Sequence, residues 1–285
     1  MSPAVDQEWR RYDPAEHRLW TTLYERQRDL LETRACDAFL RGLDALDLHG
    51  DGIPDFDRLN PKLERLTGWR VIAVPGLVPD AVFFDCLAHR RFPAGRFIRP
   101  ATSLDYLAEP DIFHDVFGHV PMLTDPTFAD YMQAYGEGGL RALGLNHLHH
   151  LARLYWYTVE FGLIDTPAGL RIYGAGVASS HAEAVYCLDD PRPARLAFDM
   201  RRVMRTLYRI DDFQAGYFVI PSIEALLEAT LRDFSQIYAD LDGAEDIEPG
   251  VVLASDRRFN NPCASAPTVR GRPGWSPAKR SPGVS

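Results

Sequence analysis

Cysteine is scarce in this chain of 285 residues, which has four of them, far apart and without a CxxC pair. That spacing argues against a zinc ribbon and against the disulfide framework of a small secreted domain. The amino-terminal segment Met1 to Arg11 is polar and lacks the apolar core of a signal peptide. We therefore expect reduced thiols and a cytoplasmic protein.

Long apolar runs and basic clusters are missing as well. No segment approaches the roughly 18 uninterrupted apolar residues that indicate a membrane span. Acidic residues outnumber basic ones, 40 against 31, and no basic run stands out before the carboxy-terminal tail. Because phosphate binding needs clustered Lys and Arg, we expect neither a nucleic acid nor a membrane as partner.

Apolar residues are plentiful, since 46% of the chain is hydrophobic and 11% is aromatic, enough for a substantial core. No linker divides the chain, and no internal repeat is visible. We predict one folded domain, mainly α-helical with small β pieces, over residues 13–259, after an N-terminal extension at 1–12. The tail, 260–285, is rich in Pro, Ser and Gly and is predicted to be disordered.

The first helix has a clear start. Asp13 can cap it, Pro14 suits its first turn, and Glu16 can complete a capping box. Apolar residues at helical spacings continue from Trp20 to Leu43. Further patterns predict helices at 60–66, 80–89, 127–143, 147–161, 180–187 and 222–241, a helix that opens near Pro110, strands at 71–74, 96–99 and 170–173, a hairpin turn at 166–169 and a tight bend at 174–176.

Two histidines, His114 and His119, lie in the most informative stretch of the sequence. Residues five apart point about 140° away from each other on a regular helix, so these two would not share a face. They can converge only if the helix distorts or ends, and Gly118 and Pro121 give it the opportunity. Neutral imidazoles are common ligands of iron, zinc, copper and nickel, but packing or surface roles fit two such histidines equally well.

Glu160 lies near the end of an apolar and aromatic helical segment. A buried carboxylate needs a partner, which is either an arginine such as Arg153 or Arg171, or a metal shared with the two histidines. Two histidines and one carboxylate leave three metal positions open, as in non-haem iron(II) oxygenases. Zinc hydrolysis is the competing chemistry, although its HExxH signature is absent because the histidine spacing is one residue longer.

A second group of histidines, His147, His149 and His150, lies at a predicted helix start among polar residues. We interpret these side chains as solvated and expect no second metal site there.

Several ordered blocks carry a resemblance. They are Thr67-Gly68-Trp69 with Pro75-Gly76-Leu77, the segment from His114 to His119, the segment from Tyr155 to Leu163, Tyr173-Gly174-Ala175-Gly176 with Ser179-Ser180, and Tyr208-Arg209-Ile210-Asp211 with Phe213-Gln214. From about Trp9 to Leu241 the chain resembles the pterin-dependent aromatic amino acid hydroxylases, most closely the short bacterial phenylalanine hydroxylases.

The resemblance implies a single, mainly helical catalytic domain with Fe(II) held by His114, His119 and Glu160. It implies a monooxygenase of phenylalanine catabolism that converts L-phenylalanine to L-tyrosine. The reaction uses O₂ and a tetrahydropterin, either tetrahydrobiopterin or a bacterial equivalent. The expected partners are therefore small molecules, and we expect the protein to be a monomer.

For the amino acid substrate, the resemblance implies that Arg99 grips the carboxylate, which a guanidinium can bind bidentately. Without the resemblance, an arginine that ends a strand is an ordinary surface charge. Ser179 matches a serine that hydrogen-bonds near the substrate and a ligating histidine, although a helix cap is an equally natural role. The residues that match positions around the substrate ring, all of which also suit a core, are Tyr106, Leu107, Trp156 and Phe161.

For the pterin, the resemblance implies that Phe83 stacks on the ring, although this side chain also fits an ordinary apolar helix face. The backbone of Gly76, Leu77 and Val78 resembles a loop that hydrogen-bonds the edge of the pterin. Asp115 matches an acid that reaches the pterin through water, and Tyr155 lines the same side.

One position departs from the family pattern. Ala178 replaces a larger aliphatic residue before the paired serines, which allows a bulkier substrate or another ring orientation. Ile210, in contrast, is apolar where relatives that act on tyrosine carry an acid, and it therefore favours an unsubstituted ring. The alternatives are a tryptophan hydroxylase or a phenylalanine meta-hydroxylase of secondary metabolism and, more remotely, a zinc hydrolase or a metal-free binding protein.

Overall fold

The computed structural model describes residues 3–104, 109–145 and 147–259. Their α-helices are α1 (Pro14–Leu31), α2 (Asp37–Ala45), α3 (Phe56–Thr67), α4 (Asp80–Ala88), α5 (Pro126–Ala142), α6 (Leu148–Tyr155), α7 (Ala175–Ala178), α8 (His181–Asp189), α9 (Met200–Arg205), α10 (Ile223–Thr230) and α11 (Phe234–Leu241). The strands are β1 (Arg70–Val74), β2 (Arg91–Gly95), β3 (Leu163–Thr166), β4 (Gly169–Ile172), β5 (Ala194–Ala197) and β6 (Gly216–Ile220). The predicted fold class, one mainly helical domain with small β pieces, is confirmed.

The start of α1 follows the predicted capping box. The Asp13 carboxylate accepts hydrogen bonds from the backbone of Ala15 and Glu16, and the Glu16 carboxylate accepts one from the backbone of Asp13. The helical pattern from Trp20 to Leu43 is, however, two helices rather than one. The helix is interrupted at residues 32–36, where the backbone N–H of Cys36 donates to the carbonyl of Ile172 at 2.9 Å.

Two small sheets connect distant parts of the chain. Strands β1 and β2 pair in parallel, and a four-stranded sheet has the order β4-β3-β6-β5. Its β3–β4 hairpin is the one predicted from the turn at 166–169. Strands β3 and β6 pair in parallel, as do β5 and β6. The four-stranded sheet thus joins residues 163–172 to residues 194–220 within one domain.

The predicted strand at 96–99 is wrong, because the strand lies at Arg91–Gly95, in register with β1. The following residues are held by another partner. The backbone N–H of Ile112 donates to the carbonyl of Phe97, and that of Arg99 donates to the Asp111 carboxylate, both at 2.9 Å. This segment therefore runs beside the chain that leads into His114.

Other boundaries also differ from the predicted ones. Strands β5 and β6 and helix α9 were not predicted, and the bend at 174–176 begins the short helix α7. The predicted helix at 222–241 is two helices, since Asp233 caps the start of α11. The helices predicted near Pro110 and at 147–161 include π-helical turns, at Phe113–His119 and Trp156–Glu160.

Aromatic side chains pack on the buried face of the first π-turn, Phe113–His119. The Trp20 and Phe113 rings are 5.2 Å apart, and Phe113 stacks on Phe117 at 4.7 Å. All three side chains are at most 1% exposed, so this face of the turn is fixed in the core.

None of the helices in the described part of the chain has the length and apolar character of a membrane span.

Residues at the amino terminus pack on the domain. The Trp9 indole N–H donates to the carbonyl of Ile53 at 2.7 Å, and Val5 forms a β-bridge with Ala73. The division into an extension at 1–12 and a domain at 13–259 stays a prediction. The tail at 260–285 lies outside the described residues.

Candidate active site

The π-turn Phe113–His119 brings two imidazoles together. A π-turn closes i→i+5 hydrogen bonds, so residues five positions apart lie nearly above one another instead of pointing apart. The Nε2 atoms of His114 and His119 are consequently 3.2 Å apart. The backbone distortion that this spacing requires is therefore a widened helical turn.

A second π-turn, Trp156–Glu160, places a carboxylate against the two imidazoles. Glu160 Oε1 is 3.2 Å from His119 Nε2, and Glu160 Oε2 is 3.6 Å from His114 Nε2. The ligand atoms of the three residues lie within 4.8 Å of one another, and no other such group of three occurs in the described ranges. Arg153 and Arg171 bind elsewhere, to Asp246 and to the carbonyl of Leu170.

Burial and mutual charge set the protonation of these side chains. Burial lowers the pKa of His114 to about 4, which leaves this imidazole neutral near pH 7. Burial opposes ionisation of Glu160, but His119 and His114 outweigh it, and the pKa of this carboxyl is lowered. Nitrogen lone pairs and an ionised carboxylate that face one point suit a divalent transition metal, and the residues present fit Fe(II).

Ser179 fixes which nitrogen of His114 faces the other two ligand residues. Its Oγ donates to the carbonyl of Ala175 at 2.8 Å and lies 2.9 Å from His114 Nδ1. With its own proton used, Oγ accepts the Nδ1–H of the imidazole. This tautomer leaves the Nε2 lone pair free for a metal.

Arg99 is buried beside the π-turn and is bound by Asp111. Its Nε and Nη2 donate to the two carboxylate oxygens at 2.8 Å each, and its Nη1 donates to the carbonyl of Leu104 at 3.2 Å. These contacts use three of the five N–H groups of a guanidinium, so two remain for another acceptor. The predicted substrate clamp is thus an anchored cation with spare donors.

A cavity of about 170 Å³ opens beside the three ligand residues. Its wall includes all six residues that the sequence predicts for the pterin, although Leu77 itself is 79% exposed. The Phe83 and Tyr155 rings meet edge to face at 5.6 Å. The residues shared by the cavity and the predictions are Gly76, Leu77, Val78, Phe83, Asp115, Tyr155, His114, His119 and Glu160.

Asp115 is a buried carboxyl at the wall of this cavity. Its Oδ2 accepts a hydrogen bond from the backbone N–H of Gly95 at 2.7 Å. Burial raises its pKa to about 7. Asp115 is therefore a polar group at the wall of this cavity, anchored on β2.

The predicted ring-contact residues that the structure describes are not among those that line this cavity. The Trp156 and Phe161 rings are 4.7 Å apart, and Trp156 stacks on Tyr208 at 4.4 Å. Ala178 is fully buried, whereas Ile210 is 73% exposed and therefore forms no wall in this conformation. Tyr106 and Leu107 lie outside the described residues.

A sequence family described as biopterin-dependent aromatic amino acid hydroxylase matches residues 8–240. The chain belongs to this family.

Several similar family members are bacterial. The chain is 66% identical to a phenylalanine-4-hydroxylase of Caulobacter vibrioides over 268 residues, which cover 94% of this chain and 91% of the relative. It is 58% identical over 256 residues to a phenylalanine-4-hydroxylase of Ralstonia nicotianae, covering 90% and 82%. Each alignment therefore covers most of this chain and most of the relative.

Solved structures agree with the fold. A phenylalanine hydroxylase of Chromobacterium violaceum with iron and phenylalanine bound superposes with a TM-score of 0.87 at 52% identity, covering 90% of this chain and 94% of that one. The cobalt-bound form of that hydroxylase gives 0.89 at 53% identity, covering 90% and 93%.

Three buried polar residues that hold predicted site residues, directly or through one another, were missed from the sequence. Asp111 binds both Arg99 and the backbone of His114, and a carboxylate within an apolar stretch was the available signal. Gln214 accepts a hydrogen bond from the Trp156 indole, and Glu183 in turn binds the backbone of Gln214. These two contacts join segments far apart in sequence, and no local pattern shows them.

The second histidine group is only partly solvated, so the predicted interpretation needs correction. His149 is exposed, but His150 is 7% exposed, and its Nδ1 lies 3.1 Å from Nδ1 of His147. The ring of His147 stacks on Tyr238 at 4.2 Å. The stack on Tyr238 of α11 thus covers one side of this cluster.

Proposed function

We propose that the protein hydroxylates L-phenylalanine to L-tyrosine with O₂ and a tetrahydropterin at an Fe(II) site. One oxygen atom of O₂ enters the ring, the other enters the pterin, and the pterin supplies two electrons. The observation that carries the proposal is the cluster of His114, His119 and Glu160 at the wall of a cavity that also holds all the predicted pterin contacts.

His114, His119 and Glu160 would hold the iron on one face, leaving three positions for other ligands. When bound, Fe(II) supplies the redox chemistry that lets O₂ react with the reduced pterin. Ser179 keeps His114 in the tautomer that presents Nε2. The protein's contribution is to bind the reactants in order around the open positions and to exclude water from them.

Phe83 would stack on the pterin, and the backbone at Gly76, Leu77 and Val78 would hydrogen-bond its edge. Asp115 would reach the pterin through water, and Tyr155 would line the same side. The support is that all six residues line the same cavity as the iron ligands. A flat, polar-edged heterocycle suits a pocket with aromatic walls and backbone donors and acceptors at one side.

The amino acid would bind with its carboxylate on the two remaining N–H donors of Arg99 and its ring near Trp156 and Phe161. Ser179 would limit its approach to His114. Tyr106, Leu107, Ala178 and Ile210 are further proposed contacts. For Ile210 this role requires the segment that carries it to close over the substrate, because its side chain is exposed here.

Reconstitution with different metals tests the proposal. Metal-free protein would be loaded with Fe(II) or Zn(II) and given phenylalanine, a tetrahydropterin and O₂. We expect O₂ consumption and tyrosine only with iron, and neither in the Glu160→Ala variant, which loses a ligand. Hydrolase activity with zinc and no O₂ uptake with iron would reject the proposal.

We further propose that the protein acts as a monomer in the cytoplasm. The three cysteines within the described residues, Cys36, Cys86 and Cys187, are all buried and unpaired, which suits a reducing compartment. Sedimentation at micromolar concentration checks the oligomeric state, and a stable dimer would contradict the proposal.

A further inference from the structure

The indole of Trp156 is held by a side chain that comes from outside its π-turn. Its Nε1–H donates to Oε1 of Gln214 at 2.9 Å. The same amide donates through Nε2 to the carbonyl of Arg209 at 3.0 Å. Gln214 is only 3% exposed, so these contacts determine which end of its amide faces the indole.

Gln214 is itself fixed from behind. Its backbone N–H donates to Oε1 of Glu183 at 3.2 Å, and the hydroxyl of Tyr217 donates to the same oxygen. Glu183 is 5% exposed and lies in the first turn of α8, where Ser180 caps its backbone N–H. The backbone of Gln214 is therefore anchored to α8 through Glu183, which Tyr217 of strand β6 binds as well.

The ring of Trp156 is connected to the iron ligands through Phe161. The two rings pack at 4.7 Å with their planes 34° apart. A Cβ placed on Gly176 would lie 3.1 Å from both the Phe161 ring and Oε2 of Glu160, so this ring is beside the ligand carboxylate. Tyr208 stacks on Trp156 at 4.4 Å, in the segment that ends at Gln214. A tilt of the indole would therefore be passed to the Phe161 ring beside Glu160.

We propose that Gln214 is a positioning residue of the hydroxylation, which fixes the plane of Trp156 and thereby the ring carbon that the substrate presents to the iron site. This inference rests on the proposed function, because it takes Trp156 and Phe161 as contacts of the substrate ring. Loss of the acceptor leaves a buried indole N–H without a partner, and the indole turns to find another. Small misplacements of a substrate reduce turnover strongly.

The test measures tyrosine formed per tetrahydropterin oxidised, together with the ratio of meta- to para-hydroxylated product. We expect Gln214→Leu to form tyrosine about tenfold more slowly, with pterin oxidation less affected and some meta product. Gln133→Leu is the matched control, since its amide binds Arg90 and Ala88 away from the site, and it should retain the native ratios.

A double-mutant cycle separates positioning from a general loss of structure. In a Trp156→Phe background, which has no indole N–H, Gln214→Leu should add little further change. If Gln214→Leu does not fold, Gln214→Asn shortens the side chain by one methylene and should also lower the tyrosine yield per pterin.

The outcomes distinguish this inference from the proposed function. Native protein that forms no tyrosine would remove the proposed function itself. If the native protein forms tyrosine, and if Gln214→Leu or Gln214→Asn shows the same product ratios as the native protein, only the positioning role would be overturned. Equal effects of Gln214→Leu in the native and Trp156→Phe backgrounds would overturn it as well.

Discussion

Arg99 and Asp111 form a bidentate ion pair in the interior, with side chains that are 7% and 0% exposed. The pair is also tied to the metal site, because Oδ1 of Asp111 accepts a hydrogen bond from the backbone N–H of His114 at 3.0 Å. Burial opposes ionisation of Asp111, but Arg99 outweighs it and the pKa of this carboxyl is lowered. The proposed substrate clamp and a proposed iron ligand thus share Asp111 as a hydrogen-bond partner.

Asp111→Asn should destabilise the protein by about 3–5 kcal/mol, because it leaves the buried Arg99 cation without a counter-charge. Urea unfolding of the iron-free protein measures this loss. The control is Asp240→Asn, which removes a solvent-exposed partner of Arg201 and should change stability far less. Equal losses of unfolding free energy in the two variants would show that the buried ion pair contributes no more to stability than the exposed one.

Ser179→Ala should lower iron affinity by roughly 10- to 100-fold, because His114 loses the acceptor that fixes its tautomer and ring orientation. Ser180→Ala is a neighbouring control. Ser180 caps α8, so its loss should cost about 1 kcal/mol of stability with little change in iron affinity. Iron titration and thermal unfolding of both variants measure the two effects. A Ser179→Ala protein with native iron affinity would refute the role of this hydroxyl.

Gly176→Ala should weaken iron binding by about tenfold or more. The new Cβ would approach the Glu160 carboxylate and the Phe161 ring at 3.1 Å, which forces the ligand oxygen to move. Gly138→Ala, in α5, meets only the end of Arg141 at 3.9 Å and should bind iron normally. Competition with an iron chelator compares the variants, and identical affinities would contradict the close packing at Gly176.

His150 should make the protein less stable in acid. Burial lowers its pKa in the native state from 6.5 to about 4, with His149, Arg153 and His147 adding to the effect. Between these values the unfolded chain binds more protons, so the free energy of unfolding falls as pH drops from 6.5 to 4, by at most about 3 kcal/mol.

Urea unfolding at several pH values checks this, with His150→Asn compared with native protein. The variant should lose less stability over this pH range, whereas His89→Asn, which changes an exposed histidine, should follow the native curve. Parallel curves for His150→Asn and native protein would contradict the expected contribution of His150.

Local signals predicted local structure well. The capping box at Asp13 and the turn at 166–169 are written in adjacent residues, and both form as expected. Strands β5 and β6 were missed because they are short and are completed by each other and by β3, far away in sequence. The misplaced strand near Arg96 has the same origin, since its partner β1 sets the register.

The candidate site shows the same division. The spacing of His114 and His119 required a distorted helix, and the structure supplies a π-turn. The partner of Trp156 could not be inferred, because Gln214 lies 58 residues further along the chain. The exposure of Ile210 also depends on how its segment folds against α8, which no local pattern determines.

Product identification tests the central claim most directly. Protein loaded anaerobically with Fe(II) would receive a tetrahydropterin, O₂ and phenylalanine, tyrosine or tryptophan in parallel reactions, followed by chromatographic and mass analysis. We predict para-tyrosine from phenylalanine as the main product. A meta-hydroxylated ring or hydroxylated tryptophan as the main product would still support a pterin-dependent hydroxylase. It would indicate that the smaller side chain of Ala178 admits another ring orientation or a bulkier substrate. No hydroxylated product from any substrate, with iron verified in place, would contradict the account.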